Sequence, residues 1–134
     1  MKRIYPVEGE NIIVVNNNQT LTAELVEENR ATVREIMETM KGKVVLIINF
    51  TEATITFEDV LGILRGYAEG KRKDINQRAF SIFVGTDTFV DMIRNAIRNP
   101  QFGNVEIPYF QTMEQALEVA RIYLETNASS DDDD

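Results

Sequence analysis

The chain contains no cysteine, no histidine and no tryptophan among its 134 residues, and only three prolines. Without thiols or imidazoles it can form no disulfide, offers no thiol nucleophile or histidine general base, and lacks the ligands of an ordinary zinc site. A Ser-His-Asp triad is excluded by the same count. Positive charge is also in short supply, with 14 Lys and Arg against 22 Asp and Glu, a formal charge of −8. Four of the acids form the terminal run Asp131 to Asp134. That leaves about −4 on the body, an ordinary value for a soluble domain and a poor match to the phosphate backbone of nucleic acid. The longest apolar run, Val44 to Ile48, falls far short of the ~20 residues a membrane helix needs. Met1-Lys2-Arg3-Ile4 opens no signal-peptide core, so the expectation is a cytoplasmic protein with no membrane span and no nucleic-acid partner.

What the chain does have is an alternation of short apolar runs with amphipathic stretches. Arg3 to Val7 and Ile12 to Val15, joined through Glu8-Gly9-Glu10-Asn11, predict a hairpin. Thr22 stands as the N-cap of a helix carrying Glu24, Glu27 and Glu28 in its first turns, where carboxylates suit the positive end of the dipole. That helix runs to about Lys41 and stops at Gly42; its inward stripe is Val26, Val33, Ile36, Met37 and Met40, interrupted by Asn29 and Arg30. Val44 to Ile48 is continuous rather than alternating, the pattern of a strand buried on both faces. Thr56 caps a second helix, with Asp59 in the capping-box position, Phe57, Val60, Leu61, Leu64, Tyr67 and Ala68 inward, and Gly70 after its end.

Ala79 to Val84 reads as a second buried strand, followed by Gly85, the N-cap Thr86 and a third helix with Phe89, Met92, Ile93, Ala96 and Ile97 inward. Val105 to Phe110 is the last strand, and Pro108, which cannot donate to a ladder, places it at an edge. Thr112 and Gln115 form a capping box for a final helix with Met113, Ala116, Leu117, Ala120, Tyr123 and Leu124 inward. The order β-β-α-β-α-β-α-β-α predicts one α/β domain over residues 1–126, a mostly parallel sheet of about five strands entered through a hairpin and covered by four helices. Residues 127–134 are expected to be a disordered acidic tail.

This order, together with Leu21-Thr22-Ala23-Glu24 opening the first helix, Phe80-Ser81-Ile82-Phe83-Val84-Gly85 ahead of the third and Phe110-Gln111-Thr112-Met113-Glu114-Gln115-Ala116-Leu117 closing the domain, resembles the SpoIIAA-like branch of the STAS superfamily. The superfamily includes the anti-sigma-factor antagonists. The resemblance implies a small, non-catalytic regulatory or protein-binding domain. The antagonists carry an Asp-Ser-Ser-Gly type stretch, with a phosphorylated serine, at the start of the helix after the central strand. Here that place is held by Phe57-Glu58-Asp59-Val60, with no serine, which implies a module not switched by serine phosphorylation at that site.

Two segments are candidate sites. The first is the second helix, where Glu58, Asp59, Gly62, Arg65, Gly66 and Glu69 form the candidate partner-binding surface. At 100° per residue Gly62 and Gly66 fall about 140° and 180° from Phe57, which directs them away from the predicted core as a smooth strip. Simple capping is the competing account of Glu58 and Asp59. The second is the loop Gly85-Thr86-Asp87, which follows a parallel strand and opens a helix whose free N–H groups suit an anion, although Asp87 brings its own negative charge. Arg65, Lys71, Arg72, Lys73, Arg78, Arg94 and Arg98 read either as a basic patch for an acidic partner or as solvated cations near helix ends. No catalytic residue, metal ligand or cofactor is nominated. The leading expectation is a protein partner or a homo-oligomer; the alternatives are a small apolar ligand held between sheet and helices, and a carboxylate-dependent enzyme.

Overall fold

Residues Ile12 to Val15 are all exposed by 3% or less, although a strand sends successive side chains to opposite sides. Burial of both alternations requires an apolar layer on each face. The computed structural model describes residues 3–17, 19–70, 75, 77–85 and 88–132, without the side chains of 128–132. Its five strands are β1 (Ile4–Pro6), β2 (Ile12–Asn16), β3 (Val44–Asn49), β4 (Ala79–Val84) and β5 (Tyr109–Phe110), and they lie in the sheet in that order. β1 pairs antiparallel with β2, and the remaining pairs are parallel. Among the described residues the helices are α1 (Ala23–Met37), α2 (Phe57–Ala68), α3 (Thr88–Ala96) and α4 (Met113–Asp132), with a single 3-10 turn at Pro100–Phe102. The α/β layout expected from the sequence is the one observed.

Strand order equal to chain order fixes where the helices go. Each parallel connection steps one strand in the same direction, and crossovers of one hand then deliver α1, α2 and α3 to the same face. There Val33, Met37, Val60, Ile63, Tyr67, Val90, Ile93 and Ile97 meet Ile13, Val15, Val44, Leu46, Ile48 and Phe83. The opposite alternation, Ile12, Val14, Val45, Ile47, Ile82 and Val84, is covered by Ala116 and Ala120 of α4. Alanines at those two positions, both 0% exposed, let one helix lie close against three strands. Tyr123, one turn on, stacks on Phe80 with ring centroids 4.5 Å apart.

Three boundaries differ from the sequence reading. α1 ends at Met37 rather than Lys41: the following residues tighten into turns, with the Thr39 N–H donating to Ile36 O and the Met40 N–H to Met37 O (both 3.0 Å), and the guanidinium of Arg78 at the mouth of β4 donates to Met37 O (2.8 Å), Met40 O and Gly42 O (2.7 Å). β5 spans two residues instead of six. Pro108 accepts from the Phe83 N–H through its carbonyl (2.9 Å) but has no N–H to return, so the ladder closes only at Tyr109 and Phe110. α4 stays helical past Thr126, where the acidic tail was expected to begin, and the Asn127 amide donates to Tyr123 O (2.7 Å).

The buried stripe of α1 runs through Leu25, Asn29, Val33 and Met37, so the asparagine that looked like an interruption is part of it. Asn29 donates to Asn17 Oδ1 (3.2 Å) and accepts from the Arg3 guanidinium (2.7 Å). The three groups answer one another, which is the condition for placing polar atoms there.

Two stability outcomes follow from this arrangement. Ile47→Ala, at a 0% exposed position of the central strand, should cost about 2–5 kcal/mol by urea titration through lost burial and a residual cavity. Arg78→Met keeps the apolar stem but leaves three carbonyls without their charged donor, and should cost about 2–4 kcal/mol, of which Arg78→Lys recovers only a part.

Candidate functional site

The second helix begins as its sequence dictates. The Asp59 N–H donates to the Thr56 hydroxyl (3.3 Å), which in turn donates to Asp59 Oδ2 (2.7 Å). Asp59 is therefore engaged in the cap, whereas Glu58 is exposed in the first turn. The rotation of the helix about its axis is not the expected one. Its buried residues are Val60, Ile63 and Tyr67, at offsets 0, 3 and 7, while Phe57 is 52% and Leu61 49% exposed.

The two glycines explain the difference. A Cβ built on Gly62 would lie 3.0 Å from Ala23 Cβ, and one on Gly66 would lie 3.6 Å from Glu27 Oε1. Both glycines thus face α1 and do not form an outward strip, which corrects their placement on the partner-binding surface. Small residues at i and i+4 admit a second helix at close range, and this contact turns the flank carrying Phe57 and Leu61 towards α3 and solvent.

The outward face of α2 consequently presents Glu58, Leu61, Arg65 and Glu69, with Phe57 leaning towards α3. The Phe57 ring lies 6.4 Å from that of Phe89 at an angle of 51°. Met92, expected inward, is 39% exposed one turn further along α3, because Val90, Ile93 and Ile97 occupy the core side. Phe57, Leu61, Phe89 and Met92 line adjoining faces of neighbouring helices. Single exposed apolar side chains are unremarkable; several on one surface mark a place of contact.

Charge is distributed differently from the sequence expectation. Arg78 is committed to the end of α1. Arg94 donates to Ile107 O (2.7 Å), lies 5.5 Å over the Tyr109 ring and sits 3.7 Å from Asp91, and Arg98 pairs with Glu106 at 3.5 Å. Arg121 chelates Glu10 (2.8 and 3.2 Å), and that hydrogen bond and charge raise its pKa. Lys71, Arg72 and Lys73 lie outside the described residues. A joint basic patch is therefore not assembled among the described residues. Neither Glu58 nor Arg65 has an ion-pair partner among them.

The second candidate segment has a structural use. Gly85 adopts φ +102°, and a Cβ there would fall 2.9 Å from the Thr51 N and 3.2 Å from the Phe50 carbonyl carbon. Glycine is needed so that the loop after β3 can pass. Its N–H is already given to Phe110 O (3.0 Å) and is not available to an anion; Thr86 and Asp87 lie outside the described residues.

Two spaces bear on a ligand. The interior cavity between the sheet and α1–α3, lined by Val33, Leu46, Phe50, Ile63, Asn17 and Asn29 among others, measures about 50 Å³. Small-molecule sites run about 300–1,000 Å³, so this one suits water at most. A wider groove of about 690 Å³ opens where β4 and the approach to β5 diverge, between Phe80, Ser81, Phe102, Val105, Tyr67 and Tyr123. Among the described residues no group of three or more Asp and Glu side chains is placed to hold a metal ion, and no helix is long and apolar enough to cross a membrane.

The rotation of α2 is checked by paired substitutions. Ile63→Ala should cost about 2–5 kcal/mol, and Leu61→Ala less than about 0.5. Gly66→Ala, which meets ordinary contact, should raise stability by about 0.5–1 kcal/mol through helix propensity, whereas Gly62→Leu should lower it by at least about 2 by prising α1 from α2. Urea midpoints distinguish these four outcomes from an outward placement of the glycines, under which Gly62→Leu would be near neutral. Compared with known proteins, the chain matches no family model and no curated protein.

Proposed function

We propose that the chain is a non-catalytic, protein-binding module of the STAS-like kind, acting through the outer face of α2 and α3 and not switched by serine phosphorylation at the start of α2. The observation that carries this reading is the exposure of Phe57, Leu61 and Met92 beside Phe89 on two neighbouring helices. Apolar side chains left about half exposed in this way are stabilised when a partner removes them from water. Two further points support the reading. The element order is the one on which the STAS resemblance rests, and Glu58, Arg65 and Glu69, expected at the partner surface, stand on this same face. A carrier of an apolar ligand finds too little room in the interior; that reading would have to use the groove beside β4.

The test is capture from lysate of the native host, quantified against a Leu61→Asp variant. Wild type should enrich a defined protein or a tagged second copy, and the variant should lose it by tenfold or so while its urea midpoint stays within about 0.5 kcal/mol of wild type. Equal capture by both proteins overturns the assignment of this face.

A further inference from the structure

The outer face of α2 carries a pattern that selects its occupant. Glu58, Leu61 and Arg65 follow at offsets 0, 3 and 7 and fall within about 60° of one another around the helix. Seven residues at 1.5 Å place the two charges about 10 Å apart, with Leu61 near the middle of that span. Both charges lack an ion-pair partner among the described residues. The row therefore reads acid, apolar, base in one direction and its complement in the other.

We propose that the occupant is a second copy of the chain, seated about a two-fold axis beside Leu61 with the two α2 helices antiparallel. This rests on the reading of the α2–α3 face as a docking surface. Antiparallel seating sets Glu58 of each copy opposite Arg65 of the other and brings Leu61 against Leu61. Parallel seating in register would instead oppose Glu58 with Glu58 and Arg65 with Arg65, which is repulsive at both ends. Phe57, Phe89 and Met92 flank the axis and extend the apolar contact onto α3. An isologous contact of this kind closes on itself as a dimer and does not grow into a filament. Its size, one helix pair with its flanks, belongs to the small and reversible class of interfaces, so association in the micromolar range is expected.

Sedimentation velocity of the full chain over a concentration series reads the result. Wild type should pass from monomer to dimer, and Leu61→Asp should stay monomeric. Glu58→Arg alone and Arg65→Glu alone each place like charges opposite one another at both ends, and each should weaken the dimer by about tenfold or more. The double variant with both changes should recover it, because its opposite charges meet only in antiparallel seating, and an equimolar mixture of the two single variants should form a heterodimer, in which every arginine of the pair faces a glutamate. Urea midpoints of each variant confirm the fold. A monomeric wild type, a dimer indifferent to the single reversals, or a mixture that stays monomeric overturns the inference. If wild type is monomeric yet Leu61→Asp still abolishes lysate capture, the docking face stands and the second copy falls; if capture is also unchanged, both fall.

Discussion

Three strands, β2, β3 and β4, have no side free to face water, and the placement of the other elements answers to that. In β3 every residue from Val44 to Ile48 is buried, which means that two separate apolar layers must be supplied to one sheet. Three connecting helices supply the first because the strands follow one another in chain order, and among the described residues α4 is the one helix that supplies the second. The division is uneven. A single helix can cover the second face only by lying close, which is the use of Ala116 and Ala120.

Crowding on the three-helix face has a further consequence. α2 is the middle helix of the three and must touch both neighbours as well as the sheet. Glycine at 62 and 66 lets α1 approach on one flank, and Phe57 reaches Phe89 on the other. What is left for solvent is the narrow strip of Glu58, Leu61, Arg65 and Glu69. Packing between helices, and not a separate demand for exposure, thus decides which apolar residues of α2 remain outside. A surface generated in this way costs little to keep, since a substitution on it disturbs no core contact, and it is correspondingly free to be shaped by a partner.

Polar groups hold the margins of the sheet. Arg78 joins the start of β4 to the end of α1 through three carbonyls, and Arg3 ties the entry of β1 to Asn29 of α1, which holds Asn17 beyond β2. Arg78 gathers three backbone acceptors and Arg3 one side-chain acceptor, all at part-buried positions where a charged donor replaces water. In the sequence they are indistinguishable from solvated cations. Pro108 works in the opposite sense, by withholding a donor, and so limits the last strand to two residues and leaves a groove beside β4.

The sequence by itself determined the layers. Its runs Val44 to Ile48 and Ala79 to Val84, apolar without polar alternation but for Ser81, mark strands buried on both sides, its hydroxyl caps at Thr22 and Thr56 start the helices where they are found, and Pro108 marks the edge. These features are local: each depends on residues within a turn or a strand length. The rotation of α2 depends on α1, which is distant in sequence, and a helix with apolar residues at Phe57, Val60, Leu61, Ile63, Leu64 and Tyr67 satisfies more than one choice of inward stripe. The spacing of Gly62 and Gly66 carried the signal, but as a close helix contact rather than an outer strip, and only the presence of Ala23 opposite Gly62 and Glu27 opposite Gly66 distinguishes the two. Tertiary structure alone decided that Asn29 is core, that Arg78 and Arg94 are internal donors, and that Leu61 faces outward. The physical reason is the same in each case: a polar or apolar side chain is assigned its role by the atoms that replace its water, and those atoms come from elsewhere in the chain.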